Sequence, residues 1–380
     1  MEHESFEETE AQDADGAPAG SSRSARSGSE PRGKPVRITD SRLIVIETAL
    51  QSEALRLKRL QGEEALSRLF RFELELVAQD PAVDFKQVVG RGVTVRVKLA
   101  DATPRYFNGI ISRIAQTPAE GGSATFKAEL VPWTWLLTRT ANCRIFQKLS
   151  VPAIVERLFQ THGFKDFSNR LQQKYPERDY VVQYRETDFN FMSRLLEDAG
   201  IWYFFEHENG RHTLVLCDSS AEHHPCPSQE KARITRSQVD GNRMLDVITA
   251  WSVGHELRPG RYALGAFNFE TPNTNLGVNV ESVYDSPTGA KPEVYDFPGG
   301  YTKRADGDTL VRLRIEEEEA QALQIRGAST CRAFRTGYRF ELTDHPRKEL
   351  NQGYALTSIF HEIYEPQIGS QPDEEASPPY

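Results

Sequence analysis

Four stretches of this chain alternate apolar and polar residues with a period of two: FRFELELVAQD (Phe70 to Asp80), VTVRVKL (Val93 to Leu99), YFNGIISRI (Tyr106 to Ile114) and TFKAELV (Thr125 to Val131). Successive side chains of a strand point to opposite faces, so this pattern buries one face and leaves the other in water. A helix cannot satisfy it, because a helical apolar stripe returns every third or fourth residue. The first third of the chain is therefore committed to half-buried antiparallel sheet.

A second constraint lies in GIWYFFEHENGRHTLVLCD, from Gly200 to Asp218. Asn209-Gly210 between two apolar runs predicts a tight hairpin of type I′, with positive φ at both central residues. A two-residue loop sets the register: Glu208 faces Arg211, His207 faces His212, Glu206 faces Thr213 and Phe205 faces Leu214. Trp202, Tyr203, Phe204 and Phe205 leave no polar face, so the hairpin base is expected to be covered on both sides.

Helical patterns interrupt the strands. SVPAIVERLFQTHGF carries Ser150 as N-cap, Pro152 in the first turn and a stop near Gly163. ETDFNFMSRLLEDAG carries Thr187 or Asp188 as cap and Gly200 as stop. A third helix is expected over Asp308 to Ile325, with Glu316 to Glu319 as a solvated face. A weak internal echo links two halves: Gly92 and Gly337 each open an alternating strand followed by a turn and a second strand. The fold class expected is α+β, mainly β, with two related antiparallel β-barrel-like modules and helical insertions.

Composition narrows the partners. The 46 Lys and Arg against 55 Asp and Glu give a net charge of -9, which argues against nucleic acid, since phosphate binding wants a basic face. No apolar run reaches the roughly 18 residues of a membrane span, so no stable membrane insertion is expected. The acidic N-terminus lacks the apolar region of a secretory signal. Cys143, Cys217, Cys226 and Cys331 are scattered, which fits reduced thiols. Residues 1–38 and 366–380 are too polar to offset chain entropy by burial and are expected to be disordered.

No catalytic signature is present. None of the His-Glu pairs has the second histidine of a zinc-protease helix, and no phosphate loop, dinucleotide fingerprint or G-x-S-x-G elbow occurs. Asp344-His345 lies at a strand end without a visible nucleophile, and Glu186, Asp188, Glu197 and Asp198 read as cap and helix surface. The metal-ligand types that cluster are His207 and His212 across the hairpin, and Cys217, His223, His224 and Cys226 after it. Their number and spacing match no standard zinc site, so no metal, no cofactor and no catalytic residue is expected.

Four longer segments carry a resemblance: WLLTRTANCRIFQKLSVPAIVERLF (Trp135 to Phe159), RETDFNFMSRLLEDAGIWYFFEHENGRHTLVLCD (Arg185 to Asp218), VYDFPGGY (Val294 to Tyr301) and FRTGYRFELTDHPRKELNQGYALTSIFHE (Phe334 to Glu362). In order and spacing they resemble the N-terminal hub region of the VgrG family, tip proteins of type VI secretion systems, and through it the baseplate hub of contractile phage tails. The resemblance implies a structural protein: a homotrimer whose paired modules form a ring on the Hcp tube and carry a needle or an effector. It also implies cytoplasmic residence before firing and export with the tube, without a signal peptide. The sequence ends at Tyr380, where a full-length tip protein continues into an OB-like domain and a β-helical needle. A base without its needle is expected, with a separately encoded OB and needle part as a further partner.

The expected organisation is a polar extension over 1–38, a first hub module over 39–140, a helical and hairpin insertion over 141–235, a second module over 236–365 and a tail over 366–380. Unpaired strand edges are the natural subunit contacts, which points to Val93, Val95 and Val97 in one module and Arg339, Phe340 and Leu342 in the other. Other readings are an adaptor or cargo-loading protein derived from the hub, a remnant of a truncated or split gene and, least of all, a cell-wall hydrolase with converging carboxylates.

Overall fold

The computed structural model describes residues 42–50, 54–120, 123–235, 239–240, 243–284 and 292–365. The polar extension over 1–38 and the tail over 366–380 lie outside them. Six strands lead the chain: β1 (Ile44–Glu47), β2 (Arg56–Ala65), β3 (Arg71–Ala78), β4 (Gly92–Lys98), β5 (Pro104–Glu120) and β6 (Ser123–Val131). All four alternating stretches are strands, and their inward residues Phe72, Leu74, Val95, Val97, Phe107 and Phe126 are fully buried. The sheet order is β1-β4-β5-β6-β3-β2, and a seventh strand, Ser358–Tyr364, adds to β2 from the far end of the chain.

The two edges of this sheet meet. The Glu365 carboxylate accepts from the backbone N–H groups of Leu43 (3.4 Å) and Ile44 (2.9 Å) at the start of β1. Closure into a barrel-like body thus uses a side chain where a ladder would otherwise stand, which removes exposed edge donors. Gly62 lets β2 cross β3 closely: its φ is +153°, and a Cβ there would fall 2.0 Å from the Arg71 carbonyl oxygen. The outer face of the sheet is laced with opposite charges, including Lys58–Glu75, Lys127–Glu73, Arg71–Glu129 and Arg59–Glu362.

Two helices follow as expected. α1 (Val151–Thr161) is capped by Ser150, and α2 (Asp188–Asp198) by Thr187. Asp188 is therefore not the cap but the first helical residue, and it is buried. The third helix runs earlier than expected: α3 spans Arg304–Ala322, and Leu323–Ser329 is a strand paired antiparallel with Ile248–His255. The backbone turns extended at Leu323 because the ladder with His255 offers it partners. Glu318 and Glu319 are also not simply solvated: Glu319 accepts from Ser282 Oγ (2.8 Å) and Val283 N–H (2.7 Å). The remaining strands form small sheets around Phe334, Phe340 and Leu342, and around Leu264, Val278 and Tyr301.

The strands expected to be unpaired edges are interior to their sheets. β4 lies between β1 and β5, and Val93, Val95 and Val97 are buried in the chain's own core. Strand Arg339–Thr343 is likewise central, between Lys231–Arg233 and Gly353–Ala355, with Phe340 and Leu342 buried and Arg339 and Glu341 exposed. The apolar phase of both strands is spent within the monomer. Val95→Asp would therefore place an acid in an apolar core, where even its neutral carboxyl costs about 2–7 kcal/mol and the ionised form more. The expected result is a collapsed urea midpoint. A variant with an unchanged midpoint and a defect confined to assembly would restore the edge reading.

Candidate functional site

The hairpin forms with the register read from sequence: Trp202–Glu208 pairs with Arg211–Cys217, and Glu208↔Arg211, His207↔His212 and Phe205↔Leu214 are opposed. Its turn differs in one respect. Gly210 has a φ of +77° but Asn209 is not left-handed, so the turn is not type I′. The Gly210 N–H instead donates to Thr94 Oγ1 on β4 (3.2 Å), which tethers the tip to the sheet.

The two hairpin histidines are drawn into the sheet by Asn108 of β5. His212 Nδ1 meets Asn108 Oδ1 at 2.7 Å, and its Nε2 accepts the Trp133 backbone N–H at 2.9 Å. That pair of contacts fixes the proton on Nδ1 and the ring as neutral. The Asn108 backbone N–H reaches His207 Nδ1 at 3.1 Å. The rings lie side by side, 6.2 Å between centroids, as the register predicts, but both His212 nitrogens are already engaged. Burial lowers His207 to about 4 and, together with the His207 charge, His212 to about 3.

The other metal-ligand types do not converge. Cys217 packs with Phe204 and Val215, and burial pushes its thiol up to about 12. His223 stacks on Trp202 and donates Nδ1–H to the Gly337 carbonyl (2.9 Å). His224 stands exposed, 3.6 Å from Glu222. Cys226 lies in a separate core with Cys331 and donates its thiol to the Ala333 carbonyl (3.1 Å). Among the described residues no group of three or more His, Cys, Asp or Glu is placed to hold a metal ion. His345 Nδ1 accepts the Arg347 N–H (3.0 Å), a local turn contact.

The strongest polar constellation was not singled out from sequence. Glu64 of β2, Arg105 of β5 and His361 of the seventh strand meet inside the protein, each less than 10% exposed. Arg105 Nη2 donates to Glu64 Oε1 at 2.9 Å, and His361 Nε2–H donates to the same oxygen at 2.8 Å. Burial alone would raise the Glu64 carboxyl, but the His361 hydrogen bond and the Arg105 charge outweigh it and hold it at about 2. The group reaches outward to residues 330–340. Arg105 Nη1 donates to the Arg332 carbonyl (2.8 Å), and Thr336 Oγ1 donates to the Glu64 carbonyl (3.1 Å). Arg332 in turn holds Asp246 (3.0 Å) and the Lys98 carbonyl (3.2 Å). The arrangement ties four segments of the chain together. A second buried carboxylate, Asp188, accepts from Thr140 Oγ1 (3.0 Å), Gln183 Nε2 (2.7 Å) and His162 Nε2 (2.7 Å), and pairs with Arg144.

A shallow cavity of about 440 Å³ opens beside the hairpin tip, lined by Gly92, Gly109, Trp133, Lys165, Gly210 and Arg211 among others. Asp166 and His212 also border it, and both His212 nitrogens are engaged by Asn108 and the Trp133 N–H.

Comparison with known proteins gives a consistent result. Residues 63–367 match the model of the phage tail baseplate hub (GPD) family. The type VI secretion system spike protein VgrG1c of Pseudomonas aeruginosa is 37% identical over 329 residues, covering 86% of this chain and 45% of the relative. VgrG1a of the same organism is 36% identical, covering 86% of this chain and 51% of the relative. The chain thus spans about half the length of these curated relatives. Among solved structures, the E. coli c3393 protein, described as a type VI secretion component similar to phage T4 tail proteins gp27 and gp5, superposes with a TM-score of 0.63 at 20% identity, covering 84% of this chain and 73% of the other. That likeness supports the mainly β hub fold.

Two outcomes follow from the buried network. Arg105→Met leaves the buried Glu64 carboxylate with the His361 hydrogen bond but no paired charge and should cost about 3–5 kcal/mol, whereas the double change Glu64→Leu, Arg105→Met should cost far less. Equal losses in single and double variants by urea titration would contradict the locked-pair account. The folded values of His207 and His212 lie below the ordinary 6.5, so the unfolded chain binds protons that the folded chain excludes. Stability should be full above about pH 6.5 and fall as pH drops from 6.5 toward 4 and then 3. Loss of Glu64 ionisation adds to the fall between 4.5 and 2. Urea midpoints that stay flat between pH 7 and pH 5 would contradict this.

Proposed function

The chain belongs to the phage tail baseplate hub family, and on that premise we propose that it is the hub at the base of a type VI secretion spike. In this reading three copies close into a ring. The ring seats on the Hcp tube and carries a needle or an effector. It assembles in the cytoplasm and leaves with the tube. The observation that carries the proposal is the extent of the family match, residues 63–367, which runs from β2 through the strand Ser358–Tyr364 that completes its sheet.

The chemistry of the interior supports a structural role over a catalytic one. Among the described residues, Glu64 Oε1 takes both Arg105 and His361, and Asp188 accepts from Thr140, Gln183 and His162. A general acid or base needs a free lone pair or proton directed at a substrate, and oxygens taken up by donors of their own chain do not offer one. The buried cysteines have thiols raised by burial, which removes thiolate character.

Light scattering across a dilution series tests the ring. The expected solution mass is three times the 43.0 kDa of the chain, constant on dilution, with co-sedimentation on preformed Hcp tubes. A monomer at every concentration, with or without tubes, would sink the proposal.

A further inference from the structure

We propose that the outer face of the ribbon formed by Ala141–Phe146 and Val181–Thr187 is one half of the subunit junction, and that the aromatic cluster Phe267, Phe269, Tyr295 and Phe297 of a second copy of this chain is the other half. This rests on the three-copy reading and assigns its contacts.

The ribbon has two unlike faces. Arg144, Phe146, Val181 and Gln183 point inward, toward Asp188 and Phe191. On the other face Cys143 opposes Tyr184 and Ile145 opposes Val182. Ile145 is 58% exposed and Tyr184 66%, and Tyr180 continues the same phase. Asp188 binds this ribbon from below through Arg144 and Gln183, so the exposed face is held in place. An apolar face that is already ordered loses little side-chain entropy on association.

On the other patch, two of the exposed rings are fixed against the chain. Tyr295 and Phe297 lie over Gly265, where a Cβ would fall 2.5 Å from the Tyr295 hydroxyl oxygen and 3.1 Å from Phe297 Cδ2. The Gly299 N–H donates to the Gly265 carbonyl at 2.7 Å and closes the loop beneath them. Phe267, 62% exposed, and Phe269, 81% exposed, come two and four positions after Gly265 in the chain. At 150–250 Å² for a fully buried ring, the four partly exposed rings offer on the order of 500 Å². That is more than half of the ~800 Å² that one side of a specific interface buries.

The choice of partner follows from symmetry. A ring of three needs two different, mutually fitting surfaces on every copy, because each junction is head to tail. Ribbon against ribbon would give a closed pair, leave the aromatic cluster in water and never reach three. The two patches are different surfaces: one is the outer face of a two-stranded ribbon, the other a set of exposed aromatic rings. Arg185 sits at the ribbon end with its guanidinium 5.5 Å from the Tyr184 ring and forms no ion pair among the described residues. It is placed to stack on an incoming aromatic face.

The test uses full-length Tyr184→Asp and Phe269→Asp, each first shown to keep the wild-type urea midpoint. Each variant alone should be a monomer by light scattering. Their equimolar mixture should form a heterodimer and nothing larger, because one intact cluster still meets one intact ribbon. If wild type is a trimer and either variant stays trimeric, the contact assignment is wrong while the hub reading stands. If both are monomers and the mixture stays monomeric, the head-to-tail pairing is wrong. If wild type is never a trimer, the reading beneath fails and the assignment with it. Should either aspartate variant lose its midpoint, Tyr184→Ser and Phe269→Ser replace the pair, with the same outcomes read as a shift of the trimer to higher protein concentration by at least tenfold.

Discussion

A carboxylate and a guanidinium, both withdrawn from water, hold this protein together where three stretches of chain cross. Glu64 and Arg105 belong to the first sheet, His361 comes from the last strand, and the carbonyl that receives Arg105 belongs to Arg332. Desolvating two charges costs several kcal/mol each, so such a pair adds little net stability over apolar residues of the same volume. What it adds is direction. Leucines tolerate many packings, whereas a guanidinium with a carboxylate on one nitrogen and a carbonyl on another tolerates one. The relation between the first sheet and residues 330–340 is set by that geometry.

The same physics explains which parts of the fold were legible in the sequence. The alternating strands and the hairpin register follow from side-chain period and loop length, which are local. α1 and α2 follow from caps, also local. The end of α3 was missed because Leu323 is recruited by His255, a partner 68 positions upstream that no helical period announces. The edge reading of the first sheet failed for a related reason. Val93, Val95 and Val97 look like an apolar edge until β1 is seen to cover β4, and β1 is a four-residue strand with little signal of its own.

The buried network did leave a trace. Arg105 is in phase with Phe107 and Ile111, and His361 is in phase with Ile359 and Ile363, so both sit at inward positions of their strands. A charge in the apolar phase of a strand is a buried charge, and a buried charge needs a partner. Sequence announces the need and not the partner: Glu64 and His361 are 297 positions apart. The histidines of the hairpin show the converse. Their juxtaposition was readable, but the Asn108 amide that takes up one of them is on another strand.

A tied interior and exposed apolar faces suit the proposed hub. A hub of that kind needs subunits that do not deform, and the two buried carboxylates Glu64 and Asp188 each receive bonds from several separate segments. Asp188 is the clearest case, because the bonds it receives from Thr140, Gln183 and His162, with its Arg144 pair, fasten a two-stranded ribbon to both helices at once. An isolated two-stranded ribbon is at best marginally stable in water. This one is stabilised from its inner side, which leaves the outer side free to be apolar. The rigidity beneath Ile145 and Tyr184 and their exposure are thus two results of one buried carboxylate.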